Sequence, residues 1–198
     1  MKGRELLVRA EAFVRNVFDD SRWEGFSFHS INHTIRVCKK ADEFGKGSAL
    51  NEDDYLALML AAMFHDTGYA FNYSDHETES VRIFQDFIGT EEYDGSEMVE
   101  QLILATGTSA EPLNSELEKI MHDIDRIGVG LPDFFEIGNM LRDEWAAKEN
   151  RKFSDGEWAQ LQLDYLDQTG FLTEYGREKF GKQRLRNIEV AKSALVKS

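Results

Sequence analysis

A histidine and an aspartate, His65 and Asp66, close the apolar run from Leu56 to Phe64 in the stretch LALMLAAMFHDTGY. Such a pair at the end of a buried helix is unfavourable unless a partner offsets its desolvation. A bound metal ion would do so; a hydrogen-bonded histidine beside a capping aspartate is the simpler account. More candidate ligands stand on either side, His29 and His33 in FHSINHT and Asp123 and Asp125 in MHDIDRIG. His29 and His33 are four residues apart, so they share a face if both are helical. They could bind one ion together, or one could bind while the other acts on a substrate above it. Two polar residues near a helix start are the plainer alternative. His65 and Asp66 project roughly 100° apart on a helix, so both reach one ion only at the helix end. Asp125 sits in a semi-apolar context and needs a partner, either Arg126 or a metal.

Two imidazoles and two carboxylates make a mixed nitrogen–oxygen donor set. It suits Mn, Fe, Co, Ni or Zn, and Mg when water fills the shell. It lacks the thiolates of a structural zinc site. Open coordination positions admit water, and metal-bound water points to hydrolysis.

These residues must be carried by helices. Only two prolines occur, Pro112 and Pro132, and apolar residues recur at helical spacing, so the expected class is all-α. Leu6, Leu7, Ala10, Phe13, Val14, Val17 and Phe18 form one stripe. A second helix is predicted from about Asn32 to Phe44, ended by Gly45 and Gly47. Asn51 to Asp54 then start the helix that delivers His65 and Asp66. Ser74 with Glu77, Ser115 with Glu118, and Ser154 with Glu157 have capping-box spacing. Ser96 opens a short helix through Thr106. Pro132 suits the first turn of another, and a basic helix runs from about Thr173. Its Arg177, Lys179, Lys182, Arg184, Arg186 and Lys192 could face a phosphate or pair with acidic helices.

With 198 residues, 41% hydrophobic, the chain can bury a sizeable core. One all-α domain over 1–198 is expected, with the metal-binding core at 26–130 and a helical extension at 131–198. The formal net charge of −14 repels phosphate backbones, so long nucleic acid is not an expected partner. The single cysteine, Cys38, allows no intramolecular disulfide and fits a reducing compartment. The N-terminus lacks a secretory h-region and no run reaches membrane-span length, so a cytoplasmic protein without a membrane partner is expected. The sequence leaves a homo-oligomer open.

The order His…His-Asp…Asp across a helical chain resembles the HD superfamily of metal-dependent phosphohydrolases. His33 in NHTIRV matches the family's first histidine, His65 and Asp66 in AAMFHDTGY its name-giving pair, and Asp125 in HDIDRIG its closing aspartate. The resemblance covers roughly residues 26–130. It implies a phosphodiesterase-like helical bundle, with His33, His65, Asp66 and Asp125 holding a divalent metal ion and Asp66 also catalytic. FHSINHT is similar to the cyclic-nucleotide phosphodiesterase pattern, which implies His29 as general acid. MHDID resembles the His-x-x-Asp form of that group, which implies His122, with Asp123 and Arg126 beside it, behind the metal ligands. His76, Glu77 and Ser80 match a His-Glu-x-x-Ser run of several branches, so His76 and Glu77 could meet a second ion or a phosphate. A helix-capping or surface histidine is the alternative there. The expected activity is hydrolysis of a small, nucleotide-like phosphomonoester or phosphodiester by a metal-bound hydroxide. A ligand-sensing module that keeps the fold without turnover, and a di-iron oxygenase, are the competing readings.

Overall fold

Helical spacing in the sequence becomes helix throughout. The computed structural model describes residues 2–107 and 113–195. Every regular element among them is helical, in nine α-helices and two short 3₁₀ turns. The chain divides into two compact units. One comprises residues up to Glu24 together with His29–Asp125, and the other Gly25–Phe28 together with residues from Arg126 onward.

The first unit contains α1 (Lys2–Phe18), a 3₁₀ turn (Ser21–Trp23), α2 (Ile31–Gly47), α3 (Glu52–Phe64), α4 (His76–Ile88), α5 (Ser96–Leu104) and α6 (Glu116–Asp125). Helix α3 is central and packs against α1, α2, α4, α5 and α6. Its apolar residues cover every side, the pattern of a helix buried all round. Leu58, Leu60, Ala61, Ala62 and Phe64 expose no surface. It starts where Asn51 Oδ1 accepts the N–H of Asp54 at 2.9 Å, with three carboxylates in the first turn favoured by the helix dipole. It ends in a knot of rings, Phe64 packing on Phe13, Phe84 and Phe87.

Some boundaries differ from the sequence reading. Helix α2 runs through Gly45 to Gly47, and the residue with left-handed backbone is Ala49, at φ 51°. Gly45 serves close approach instead, since a Cβ there would lie 2.8 Å from Tyr55 Cδ2. The Ser74–Glu77 capping box does not form. Asn72 Oδ1 takes the Ser74 hydroxyl at 3.1 Å and the Asp75 N–H at 3.2 Å, and Asp75 stands at the N-cap. The Ser115–Glu118 box does form, with Glu118 N–H on Ser115 Oγ at 3.1 Å and Ser115 N–H on Glu118 Oε2 at 2.9 Å. Pro112 lies outside the described residues.

The second unit contains a 3₁₀ turn (Ile127–Gly130), α7 (Phe134–Lys148), α8 (Asp155–Gln168) and α9 (Glu174–Leu195). Pro132 falls before α7 rather than in its first turn, after Leu131 at φ −108° and ψ 150°, the extended backbone a following proline demands. Ser154 and Glu157 close the predicted box on α8. The buried Asn187 amide donates to the carbonyls of Val129 and Leu131, both at 2.9 Å. Arg184 donates to the carbonyls of Leu166, Asp167 and Thr169 at the end of α8, and Arg177 to Leu172 at 2.6 Å. These two basic residues of α9 are thus engaged with backbone. Among the described residues no helix is long and apolar enough to cross a membrane.

Candidate metal centre

The backbone at the end of α3 is closed by hydroxyl groups. His65 N–H still donates to Ala61 O at 2.9 Å, so helical geometry carries one residue beyond Phe64. Thr67 Oγ1 donates to Phe64 O at 2.7 Å, and Ser80 Oγ, from α4, donates to His65 O at 2.7 Å. Ser80 Oγ also accepts the N–H of Gly68 at 2.8 Å. Gly68 is required for this approach, because a Cβ there would lie 2.1 Å from His76 O and 2.7 Å from Ser80 N. The carbonyls of Phe64 and His65 are therefore occupied, and the side chains of His65 and Asp66 remain.

Those side chains converge with His33 of α2. His33 Nε2 lies 3.2 Å from Asp66 Oδ2, and His65 Nε2 lies 3.1 Å from the same oxygen. Asp125 Oδ1, from the end of α6, is 3.6 Å from His65 Nε2. Among the described residues, one ligand atom each from His33, His65 and Asp66 lies within 4.8 Å of the others. His65 and Asp66 are 0% and 4% exposed, yet His65 Nε2 and Asp66 Oδ2 make no hydrogen bond. Buried polar atoms without partners are rare and call for an explanation. His65 Nδ1 faces Ala62 O at 3.1 Å. A carbonyl only accepts, so Nδ1 carries the proton and Nε2 is the nitrogen left for a metal, the usual arrangement of a metal-ligating histidine. Two imidazole nitrogens and a carboxylate oxygen, with a second carboxylate at the edge, fit a divalent ion.

Residues 30–130, just over half of the chain, match the family model of the HD domain. The chain belongs to the HD-domain family. HD domains bind divalent metals and are commonly hydrolases. Comparison with curated proteins and with solved structures gives no match.

The electrostatics of this HD domain express crowding. Burial lowers the His33 imidazole below its ordinary value, with Asp66 only partly opposing. Burial also works against a charged His65, but the Asp66 and Asp125 carboxylates and the Ala62 carbonyl outweigh it and raise His65 to about 9. For Asp66, burial favours the neutral acid. The charge of His65, the close polar approach of the His33 and His65 rings, and His29 override it and hold the carboxyl well below its usual range.

His29 is placed differently from the shared-face reading. Helix α2 begins at Ile31 behind an extended Ser30, so His29 precedes the helix. It is nevertheless buried, at 7% exposure, and its ring centroid lies 6.2 Å from that of His33. One face is covered by Tyr69, whose ring stacks on His29 at 3.6 Å and on His76 at 3.7 Å. Tyr69 is not among the candidate site residues singled out by type and spacing in the sequence. An aromatic residue directly after His-Asp-Thr-Gly, followed by Phe71 and Tyr73 at alternate positions, was the available signal.

The remaining residues of the HD domain stand further out. His76 Nε2 is 4.0 Å from Asp66 Oδ1, and its Nδ1 is 3.4 Å from Glu77 Oε2. Burial lowers the His76 imidazole, against the pull of Asp66 and Glu77. His122 Nδ1 is 3.7 Å from Asp123 Oδ1, and Asp123 is buried on α6. Arg126 opens the second unit, directly after Asp125.

Proposed function

We propose that the chain is a divalent-metal-dependent phosphohydrolase acting on a small, nucleotide-like phosphomonoester or phosphodiester. The observation that carries this reading is the buried, hydrogen-bond-free pair His65 Nε2 and Asp66 Oδ2 facing His33. His33, His65, Asp66 and Asp125 would hold the ion. When bound, a divalent ion supplies an activated water and neutralises charge on the phosphoryl oxygens. His29 would donate a proton to the leaving oxygen. His76 and Glu77 would meet a substrate phosphate or a second ion, a reading supported by His76 Nε2 lying 4.0 Å from Asp66 Oδ1.

The test is elemental analysis of the purified full chain, followed by a panel of nucleotides, cyclic nucleotides and generic phosphoesters. Turnover is expected, abolished by chelator and restored by Mn, Co, Ni or Mg. A fully metallated protein inactive on the whole panel would instead support a ligand-sensing module or a di-iron oxygenase. His29→Ala should keep the metal and lower kcat by about 10²–10⁴-fold, the contribution of a positioned proton donor. The loss should shrink on a nitrophenyl ester, whose leaving group needs no proton. Equal losses on good and poor leaving groups would reject the acid role.

A further inference from the structure

We propose that Tyr69 is a positioning residue of this centre, its ring clamped between the imidazoles of His29 and His76 so that both hold a fixed orientation beside the metal-ligating cluster. The kinetic side of this inference rests on the phosphohydrolase reading; the structural side rests on ring geometry alone.

Tyr69 and His29 stack with centroids 3.6 Å apart and planes 23° from parallel. Tyr69 and His76 stack at 3.7 Å and 17°. The phenol ring therefore has an imidazole on each face. Tyr73 meets this pile edge-on, 5.0 Å from Tyr69 at 72° and 6.1 Å from His29 at 90°. Edge-to-face contact is a favoured arrangement of aromatic quadrupoles and resists sliding of the stacked rings.

Neither histidine sits in a helix interior. His29 precedes α2, and His76 is the first residue of α4, whose N-cap Asp75 makes no side-chain capping bond. Tyr69 is anchored. Its N–H donates to Asp66 O at 3.2 Å, and the N–H groups of Phe71 and Asn72 both return to Gly68 O, at 2.9 and 3.0 Å. Gly68 is itself fastened to Ser80. The ring pile thus takes its reference from the same turn that carries Asp66. A proton donor held this way keeps its alignment without a helix, and displacement by ~1 Å costs on the order of 10²-fold in rate.

The test compares the full chain with Tyr69→Phe, which keeps a six-membered ring, and Tyr69→Leu, which does not. In the metal-free protein the His29 and His76 ring protons should resonate upfield of solution positions, because each imidazole lies over an aromatic face. Tyr69→Phe should keep that displacement and Tyr69→Leu should lose it for both histidines. In kinetics, Tyr69→Leu should lower kcat by about 10²-fold on a poor leaving group with little change in KM, and less on a nitrophenyl ester. Tyr69→Phe should restore the rate. In a His29→Ala background, Tyr69→Leu should cost little more, because the two act through one group. Wild-type ring protons at solution positions would overturn the proposal, even if Tyr69→Leu failed to fold. So would Tyr69→Phe as damaging as Tyr69→Leu, or full additivity with His29→Ala. If the wild type hydrolyses nothing on the panel, the functional reading falls, while the resonances still decide the clamp.

Discussion

The ends of α3 and α8 face the same problem and solve it in opposite ways. Both leave C-terminal carbonyls that need donors. At α8 the donor is the Arg184 guanidinium, reaching Leu166 O at 2.6 Å and Asp167 O at 3.3 Å as well as Thr169 O. A positive charge at a helix C-terminus also meets the dipole favourably. At α3 the donors are the hydroxyls of Thr67 and Ser80, on Phe64 O and His65 O, together with the ring of His65 itself, whose Nδ1 meets Ala62 O at 3.1 Å. The tips of the two side chains there, His65 Nε2 and Asp66 Oδ2, stay without a hydrogen bond. The α8 end is completed by an arginine of the chain, whereas the side chains at the α3 end form, with His33, a cluster that could hold a metal ion.

The contrast can be broken most decisively at the ligands. His65→Ala and Asp66→Ala should abolish stoichiometric metal uptake, read by elemental analysis, while Arg184→Met should leave uptake at the wild-type level. Unchanged metal content in the first pair would end the comparison. Next is Ser80→Ala, which strands a buried carbonyl and a buried N–H. A loss of about 2–4 kcal/mol in denaturant unfolding is expected, with metal affinity weakened about tenfold as the His65 backbone loosens. Arg184→Met should cost about 1.5–3 kcal/mol, the range for hydrogen bonds to a charged group, with no effect on metal affinity.

The smallest effect is protonic and sharpens the picture of the open end. His65 is raised to about 9 by neighbouring carboxylates in spite of burial, so its charge stabilises the metal-free fold fully below its ordinary value of 6.5. That contribution fades as pH rises from there towards 9. Asp66, held low, contributes above its ordinary value of 3.8 and loses that contribution only as the solution becomes more acid than that. Metal uptake near pH 7.5 should therefore release about one proton and tighten as pH rises. Calorimetric titration in two buffers of different ionisation enthalpy measures it. Uptake without proton release would mean His65 is already neutral.

Much of the fold was legible because local signals and burial agreed. The uninterrupted apolar run marked α3 as buried on all sides, and Ser115–Glu118 and Ser154–Glu157 formed as spaced. Ser74–Glu77 had the same spacing and did not form: the Ser74 hydroxyl turns back to Asn72, and α4 starts one residue later, with Asp75 at the N-cap. Gly45 looked like a helix stop and is a packing contact, since the need for room beside Tyr55 is a tertiary fact. The candidate ligands stood out by residue type. Tyr69 did not, because a tyrosine in a turn has no local signature of what will stack on its faces. Ser80 was visible as part of a motif, but its bonds to His65 and Gly68 span 15 and 12 residues and exist only once α4 has docked.

The Ser80 clasp has a consequence for how this sequence can change in length. It welds the second turn of α4 to the residues just after α3, so inserting or deleting a residue between His76 and Ser80 would rotate the hydroxyl away from both its bonds. The exposed Ser74 and Asp75, after Tyr73 and its contacts with Tyr69 and His29, take no part in those two bonds. Length variation in this hairpin of helices should be confined to those two exposed positions, clear of both the ring pile and the clasp.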